Sequence, residues 1–560
     1  MKSRLALTCA ILILSIWALL SGRVSAQTLS LNDGSILQSN PNRIGLNIGA
    51  IDYWDSGQIL KNLVGATNPG FEPLQNRQIW ALTAAGTATT FTVPDQYDGI
   101  PPNYWAGGTF TVVESQSGGA ELGCTGSIAS NTGPNYPLTG QSTYTAPTIT
   151  VSTPCNAAFA VGDTVVLNQS TFPTPESWWE SGGLGGIMGS VSGGGKLLSD
   201  TTDLCATCGT QSLNMNASAS SSSAAASFYF DNCYNDDMFV EMNGTYQLSF
   251  WAKAASGTPV LTASASRMST GGFNCGTYTP KLSSSWAQYT FNCTASESQG
   301  GTSPGIAQVA FNATGGSVYL DNVSFARTNG NASNTTVLRD EVIDTLQTYY
   351  GPSVGNNPGM FRYWVNQNAE SMANWTQPDY AHAPTGGGTG YFVGPGGAGV
   401  VSLSLEDYLI ICQLLNAQPY LEVPVTFSTA DAAELIEFLA SPSSTTYGAR
   451  RAALGQEDPW TSVFSTIHLS FCNECWNTAF AGQNLPDRSS APNYEFYYDY
   501  SLRARDIFAA MRADSYYSQP SFDLVMNAQT ATNYSMDTAI QRAHPDSIEI
   551  EGYTYSYVNS

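Results

Sequence analysis

The chain has 560 residues, 42% of them hydrophobic and 11% charged, with a formal net charge of −23. A chain this long holds several domains, each able to bury its own core, and its acidity disfavours polyanionic partners such as nucleic acid or an anionic membrane surface. Neutral partners are favoured instead, with uncharged carbohydrate among them.

Residues 1–26 pair Lys2 and Arg4 with an apolar run from Leu5 to Leu20 and a small-residue site at Val24-Ser25-Ala26. This predicts a secretory signal peptide cut before Gln27, and so an extracellular or periplasmic protein. Thr8, Cys9 and Ser15 interrupt the run, and no later segment is apolar enough to span a bilayer, so no membrane insertion is expected after its removal. Of the 11 cysteines, Cys9 leaves with the signal, and the rest (Cys124, Cys155, Cys205, Cys208, Cys233, Cys275, Cys293, Cys412, Cys472 and Cys475) are even in number. In an exported chain that predicts disulfides. Cys205/Cys208 and Cys472/Cys475 are far apart, and His382, His468 and His544 show no ligand spacing, which disfavours zinc.

Residues 27–67 contain "NRIGLNIGAIDYW" and then "SGQILKNLV", a first strand and helix. Residues 68–330 are rich in Gly, Ser, Thr and Asn, with short alternating runs such as "GTYQLSFWAKA" and "GSVYLDNVSFA", which predict an antiparallel sandwich. "GGTFTVVESQ" and "FAVGDTVVLNQ" mark a β insertion near 96–175, and Ala217 to Ser227 reads as a low-complexity loop or weak strand. Trp251 and Trp286 alternate within strands and are expected in the core. Trp105, Trp178 and Trp179 lie in turn-rich segments and are expected to stack on sugar rings.

Residues 331–560 alternate helical and strand patterns: "VLRDEVIDTLQTYY" then "GMFRYW", "SLEDYLIICQLLNA" then "QPYLEVPVTF", "TADAAELIEFLAS" then "SVFSTIHLSFCNE", "YYDYSLRARDIFAAMRA" then "SFDLVMNAQ", "SMDTAIQRA" then "DSIEIEGYTY". With the first strand, this predicts a TIM-barrel-like unit about two β/α repeats short of the eight that close a barrel. The expected fold class is therefore multidomain, a partial (β/α)8 catalytic domain carrying an inserted all-β jelly-roll sandwich, in a chain that is a piece of a longer protein.

The chemistry centres on "IHLSFCNECWN", Ile467 to Asn477. Asn473 and Glu474 follow a buried strand, at the end where such barrels keep their active residues. A helix-initiating Glu is the plain alternative. Farther on, Glu549 and Glu551 alternate with Ile548 and Ile550 and share one face.

"FCNECW", with the order and spacing of the run before it and of "FRYWVNQNAESMANW", resembles the retaining clan-A glycoside hydrolases, the α-L-arabinofuranosidases in particular. The resemblance implies that Glu474 is the general acid/base, which needs a raised pKa, and that Asn473, Arg362, Trp375, Trp476, Glu551 and Tyr553 contact substrate. Retaining chemistry also needs a second carboxylate about 5–5.5 Å away. In the clan it stands on the seventh strand, which this sequence does not reach, so the nucleophile is expected beyond Ser560; Glu551 is read as a substrate contact, and as nucleophile only in the alternative. The family's Pro-Gly-Gly is replaced by Tyr363-Trp364-Val365. Cys472 bridged to Cys475, and either of them to Cys412, are both open pairings.

"NPGFE" followed by Trp80, "GTQSLNM", "GTYQLSFWAKA", "SSSWAQYTF" and "SVYLDNVSF" resemble carbohydrate-binding modules of the cellulose- and xylan-binding jelly-roll type. That implies a polysaccharide or oligosaccharide partner and a structural calcium on Glu72 and Asp321. No catalytic cofactor is expected. The expected activity is removal of α-L-arabinofuranosyl residues from plant-type polysaccharide. The alternatives are a non-catalytic binding protein with an incomplete barrel, and an endo-xylanase or glucanase of the same clan.

Overall fold

Three sheets account for most of the described chain, and each follows from a different sequence period. The computed structural model describes residues 45–48, 59–94, 102–115, 119–133, 146–170, 187–231, 241–268, 272–297, 306–350, 359–364, 370–386, 403–477, 485, 497–529 and 533–551. Strands dominate these residues and helices are few. No helix among them is long and apolar enough to cross a membrane.

Strand β1 (Gly45–Ile48) belongs to the sheet described last. A small antiparallel sheet follows, built from β2 (Gln75–Ala81), β3 (Thr90–Thr92), β4 (Thr109–Glu114), β5 (Thr125–Asn131), β6 (Thr148–Val151) and β7 (Thr164–Gln169). It begins at Gln75, ahead of the boundary near 96 expected for the insertion. Alternate residues of β4 and β6 point inward, and Trp80, Phe91, Phe110 and Phe159 fill its core.

The sandwich holds β8 (Ile187–Ser192), β9 (Lys196–Asp200), β10 (Ser212–Ala217), β11 (Ser223–Phe230), β12 (Asn243–Arg267), β13 (Asn274–Tyr278), β14 (Ala287–Ser296) and β15 (Ala307–Arg327). The Ala-Ser run therefore contributes to an ordinary strand, because its small residues alternate as cleanly as large ones do and every second one is buried. The long β12 and β15 change register around Gly257 and Gly315, both at φ 71°, a conformation that costs glycine little. Their two halves fold over one core, where Phe250 from one half of β12 meets Phe311 of β15 edge-on at 5.0 Å.

The third sheet is parallel throughout. Its strands β16 (Met360–Tyr363), β18 (Gln418–Val423), β19 (Ile467–Phe471), β20 (Phe522–Gln529) and β21 (Ser547–Glu551) continue from β1 in chain order. The remaining strand, β17 (Thr385–Gly386), pairs with β2 and ties the small sheet to this unit. Between the parallel strands run α1 (Asp340–Tyr350), the short α2 (Met372–Trp375), α3 (Leu405–Leu415), α4 (Thr429–Ala440), α5 (Thr446–Leu454), α6 (Tyr498–Ala513) and α7 (Asn533–Ala543). Helix starts are written locally: Ser428 and Asp431 form a capping box on α4, and Ser404 caps α3.

The two faces of the parallel sheet differ in kind. Phe361, Tyr363, Leu421, Val423, Leu469, Phe471, Leu524 and Met526 pack into one apolar cluster with the helices. The alternate positions, Arg362, Tyr420, Glu422, His468, Ser470, Asn527 and Glu549, are polar and share the other face. Parallel strands buried on both sides are normally apolar throughout, so a face carrying charge is the feature that positions the site.

Candidate active site at the strand ends

The polar face gathers its charges toward the C-terminal ends of the strands. Arg362 Nη2 lies 2.6 Å from Glu422 Oε1 and donates to Asn473 Oδ1 at 2.7 Å, while its Nε lies 3.4 Å from Glu549 Oε1. Glu549 Oε2 accepts from the Tyr420 hydroxyl at 2.5 Å and from Asn527 Nδ2 at 2.6 Å. Asn527 also takes the Glu474 amide on its Oδ1 at 2.9 Å and donates to Ser470 Oγ at 2.8 Å. One asparagine thus links the backbone of Glu474 to the carboxylate of Glu549.

The turn after β19 explains how Glu474 is held. Cys472 (φ 61°) and Glu474 (φ 48°) both adopt the left-handed conformation, which is costly for residues with a Cβ. Cys472 and Cys475 are bridged, with Cα atoms 5.7 Å apart, so the turn is closed covalently around the Asn-Glu pair. Cys412 remains a buried free thiol, its pKa pushed up by burial. Asn473 is buried facing Arg362, and Glu474 is half-buried, its Oε2 accepting from Asn477 Nδ2 at 2.7 Å.

Burial sets the electrostatics. Desolvation, then the charge of Glu549, push Glu422 up to about 8 against the opposing pull of Arg362. Burial and the neighbouring Glu422 and Glu549 push the Tyr420 hydroxyl far up, so it remains a donor.

Several expected contacts lie elsewhere. Trp375 is 0% exposed and donates its indole N–H to the Leu403 carbonyl at 3.2 Å; it is a core residue of the helical layer and cannot touch substrate. Trp105 is likewise 0% exposed, packed edge-on to Tyr104, so it offers no face to a sugar. A turn-rich sequence shows where the backbone bends, and not which way an indole points. Trp476 is mostly buried against the same apolar cluster as Phe471. Trp178, Trp179 and Tyr553 fall outside the described residues, as does the side chain of Glu551, whose backbone ends β21. Sequence reading passed over Glu422, Tyr420 and Asn527; a charge inside an otherwise apolar strand, as in "PYLEVPV", is the signal that could have found the first.

The expected core positions Trp251 and Trp286 are half-exposed instead. Trp251 sits in β12 between the buried Phe250 and Ala252 and so faces outward. Trp286 stands 6.1 Å from Tyr319, and Lys253 Nζ lies over both rings at 5.9 and 5.2 Å. Asp203 accepts from the Trp286 indole at 3.0 Å and Asp200 from the Tyr319 hydroxyl at 3.0 Å, making an aromatic platform with a polar rim on the sandwich surface.

Asp321 is 0% exposed, and its Oδ2 has no hydrogen-bond partner among the described residues. Glu72, pushed up to about 7 by burial, accepts from the Thr210 amide and hydroxyl, and its charge acts on Asp321. An orphaned, buried carboxylate oxygen beside a second carboxylate fits a hard cation. The nearby Cys205 and Cys208 are bridged to each other, so their sulfurs are not free to ligate.

No protein-family model matches this sequence, and no curated protein matches it. Among solved structures, the enzymatically active domain of bacteriophage CBA120 tailspike protein 4 is 16% identical over 27% of this chain and 20% of its own, at a TM-score of 0.21. An α-L-arabinofuranosidase from Thermotoga maritima in an arabinose complex is 13% identical over 39% of this chain and 41% of its own, at a TM-score of 0.29. A family 11 carbohydrate-binding module from Clostridium thermocellum, in complex with a β-1,3-1,4-mixed-linked tetrasaccharide, is 12% identical over 26% of this chain and 91% of its own, at a TM-score of 0.18. The chain thus spans about two fifths of the arabinofuranosidase and one fifth of the tailspike domain.

Proposed function

We propose that the protein is a secreted, retaining glycoside hydrolase that removes α-L-arabinofuranosyl residues from plant-type polysaccharide, on a (β/α)8-type scaffold to which these six parallel strands contribute. The observation that carries this reading is the strand-end cluster of Asn473, Arg362, Tyr420, Asn527 and Glu549, with the backbone amide of Glu474 bonded to Asn527, on the polar face of an otherwise apolar parallel sheet. Buried charge is costly, and its concentration at strand ends favours chemistry over packing.

In this reading Glu474 gives its proton to the glycosidic oxygen as a second carboxylate bonds to the anomeric carbon and the glycosidic bond breaks, then takes a proton from the water that displaces that carboxylate. Positive charge developing on the sugar is met by the carboxylate of Glu549, held by Tyr420, Asn527 and Arg362. Asn473, fixed by Arg362, offers its amide to a sugar hydroxyl. Glu72 and Asp321 would hold a calcium ion, whose contribution is to neutralise two buried carboxylates and brace the sandwich.

A second reading has its own observation. The Trp286–Tyr319 platform favours a protein that binds polysaccharide through its sandwich without cleaving it. Incubation with an aryl α-L-arabinofuranoside and with arabinoxylan separates the readings. Release of arabinose with retained configuration supports the first, xylo-oligosaccharides support endo action, and polysaccharide binding without turnover supports the second.

A further inference from the structure

Glu422 differs from the other charged groups of the site in one respect. Its side chain is 0% exposed, whereas those of Arg362 and Glu549 are 17% and 24% exposed. At the strand ends Arg362 and Glu549 are partly open to solvent, and Glu422 is covered. Yet Glu422 comes closer to the guanidinium, at 2.6 Å, than Glu549 does, at 3.4 Å from Nε, and shares Nη2 with Asn473 at 2.7 Å.

We propose that Glu422 is a positioning residue, which seats Arg362 from beneath so that the guanidinium presents Asn473 and Glu549 to the sugar. The proposal rests on the glycosidase reading above.

The surroundings supply the reason. From β16, Glu422 meets Arg362; from its own strand, Tyr420; from β19, the Ser470 hydroxyl; from β21, Glu549. Two residues earlier on the strands, His468 and Asp523 pair with each other at 2.7 Å. Arg362 is the one cation among the described groups that Glu422 meets. With Glu422 protonated, Arg362 and Glu549 balance each other. When Glu422 ionises, two carboxylates compete for one guanidinium, and the buried one, in the lower dielectric and at the shorter distance, wins. The 3.4 Å contact to Glu549 is then the first to lengthen. Burial and the Glu549 charge put that ionisation at about pH 8.

The test compares kcat/KM against pH for the wild type and Glu422→Gln on an aryl α-L-arabinofuranoside, with thermal melting of both proteins across the same range. Gln keeps the size and the neutral state. The variant is expected to retain about a third of the activity at pH 6 and to lose the alkaline limb near pH 8, with the change in kcat rather than KM. A carboxyl whose folded pKa is raised from 4.5 to about 8 loses stability as pH rises through that interval. The Tm of Glu422→Gln should therefore gain on the wild type between about pH 5 and 9. An unchanged alkaline limb in an active variant, or a Tm difference that does not move with pH, overturns the role of the proton. Activity at pH 6 lower by a hundredfold overturns the neutral form as the working one. A wild type inert on every glycoside tested, but with the Tm difference moving as expected, overturns the glycosidase reading and the positioning role while leaving the titration assigned to Glu422.

Discussion

Two arginines in this molecule lie between two carboxyl groups each, and the contrast between them separates framework from site. In the sandwich, Arg267 pairs with Asp231 and with Glu297 at 2.9 Å, and its side chain is 0% exposed. Glu297 accepts in addition from the amides of Met242 and Phe273. Burial pushes Glu297 up, but those hydrogen bonds and Arg267 outweigh it, and the carboxyl rests below its ordinary value. In the parallel sheet, Arg362 is partly open to solvent, and Glu422 rests well above its ordinary value. A buried ion group with each charge answered is a structural clamp. One that holds a carboxyl against its preferred charge state, beside a partly exposed arginine, has the features of a working site.

The contrast can be broken by experiment. Arg362→Met should lower kcat/KM on an aryl α-L-arabinofuranoside by about a thousandfold, equivalent to about 4 kcal/mol, with little change in unfolding free energy at neutral pH, because a Glu422 that already holds its proton leaves no buried charge behind. Arg267→Met should do the reverse, costing about 3–5 kcal/mol in denaturant unfolding while leaving the folded fraction active. Equal stability losses in the two variants would erase the distinction. Chelation should lower Tm by an amount equivalent to about 2.7 kcal/mol when calcium was present at a hundred times its Kd, and Asp321→Asn should abolish that response. Trp286→Ala should weaken polysaccharide binding about tenfold, or about 1.4 kcal/mol, measured by affinity electrophoresis, and affect turnover of a small aryl glycoside far less. The smallest effect concerns acid. Because the Glu297 carboxyl lies below its ordinary 4.5, its stabilisation is complete above that pH and lost as pH falls through the folded value, so Glu297→Gln should flatten the acid side of the Tm profile.

The parts of this structure legible in the sequence are those governed by period. With the strand at Gly45–Ile48, the alternation of helical and strand patterns after residue 331 accounts for six parallel strands in chain order, five of them in that region, and the run "IHLSF" ends just before Cys472, Asn473 and Glu474. Facing was harder to read. Trp105 looks like an exposed aromatic because its segment is turn-rich, and Trp375 is a substrate contact only by the resemblance; both are held in buried cores. Strand aromatics usually point inside, which is where alternation puts Trp251 and Trp286, yet β12 and β15 bury the residues that alternate with Trp251 and Tyr319 and leave the sandwich face to these rings. Glu422 was hidden for a different reason. It ends a strand that reads as uniformly buried, and only the register with Arg362 and the approach of Glu549 from two strands beyond β19 give that charge a purpose.

The measurement that bears most directly on the strand-end site is turnover and binding by Glu474→Gln. The account predicts that hydrolysis of an aryl α-L-arabinofuranoside is abolished while binding to polysaccharide and Tm are kept. Turnover equal to the wild type's would remove Glu474 from the chemistry and contradict it.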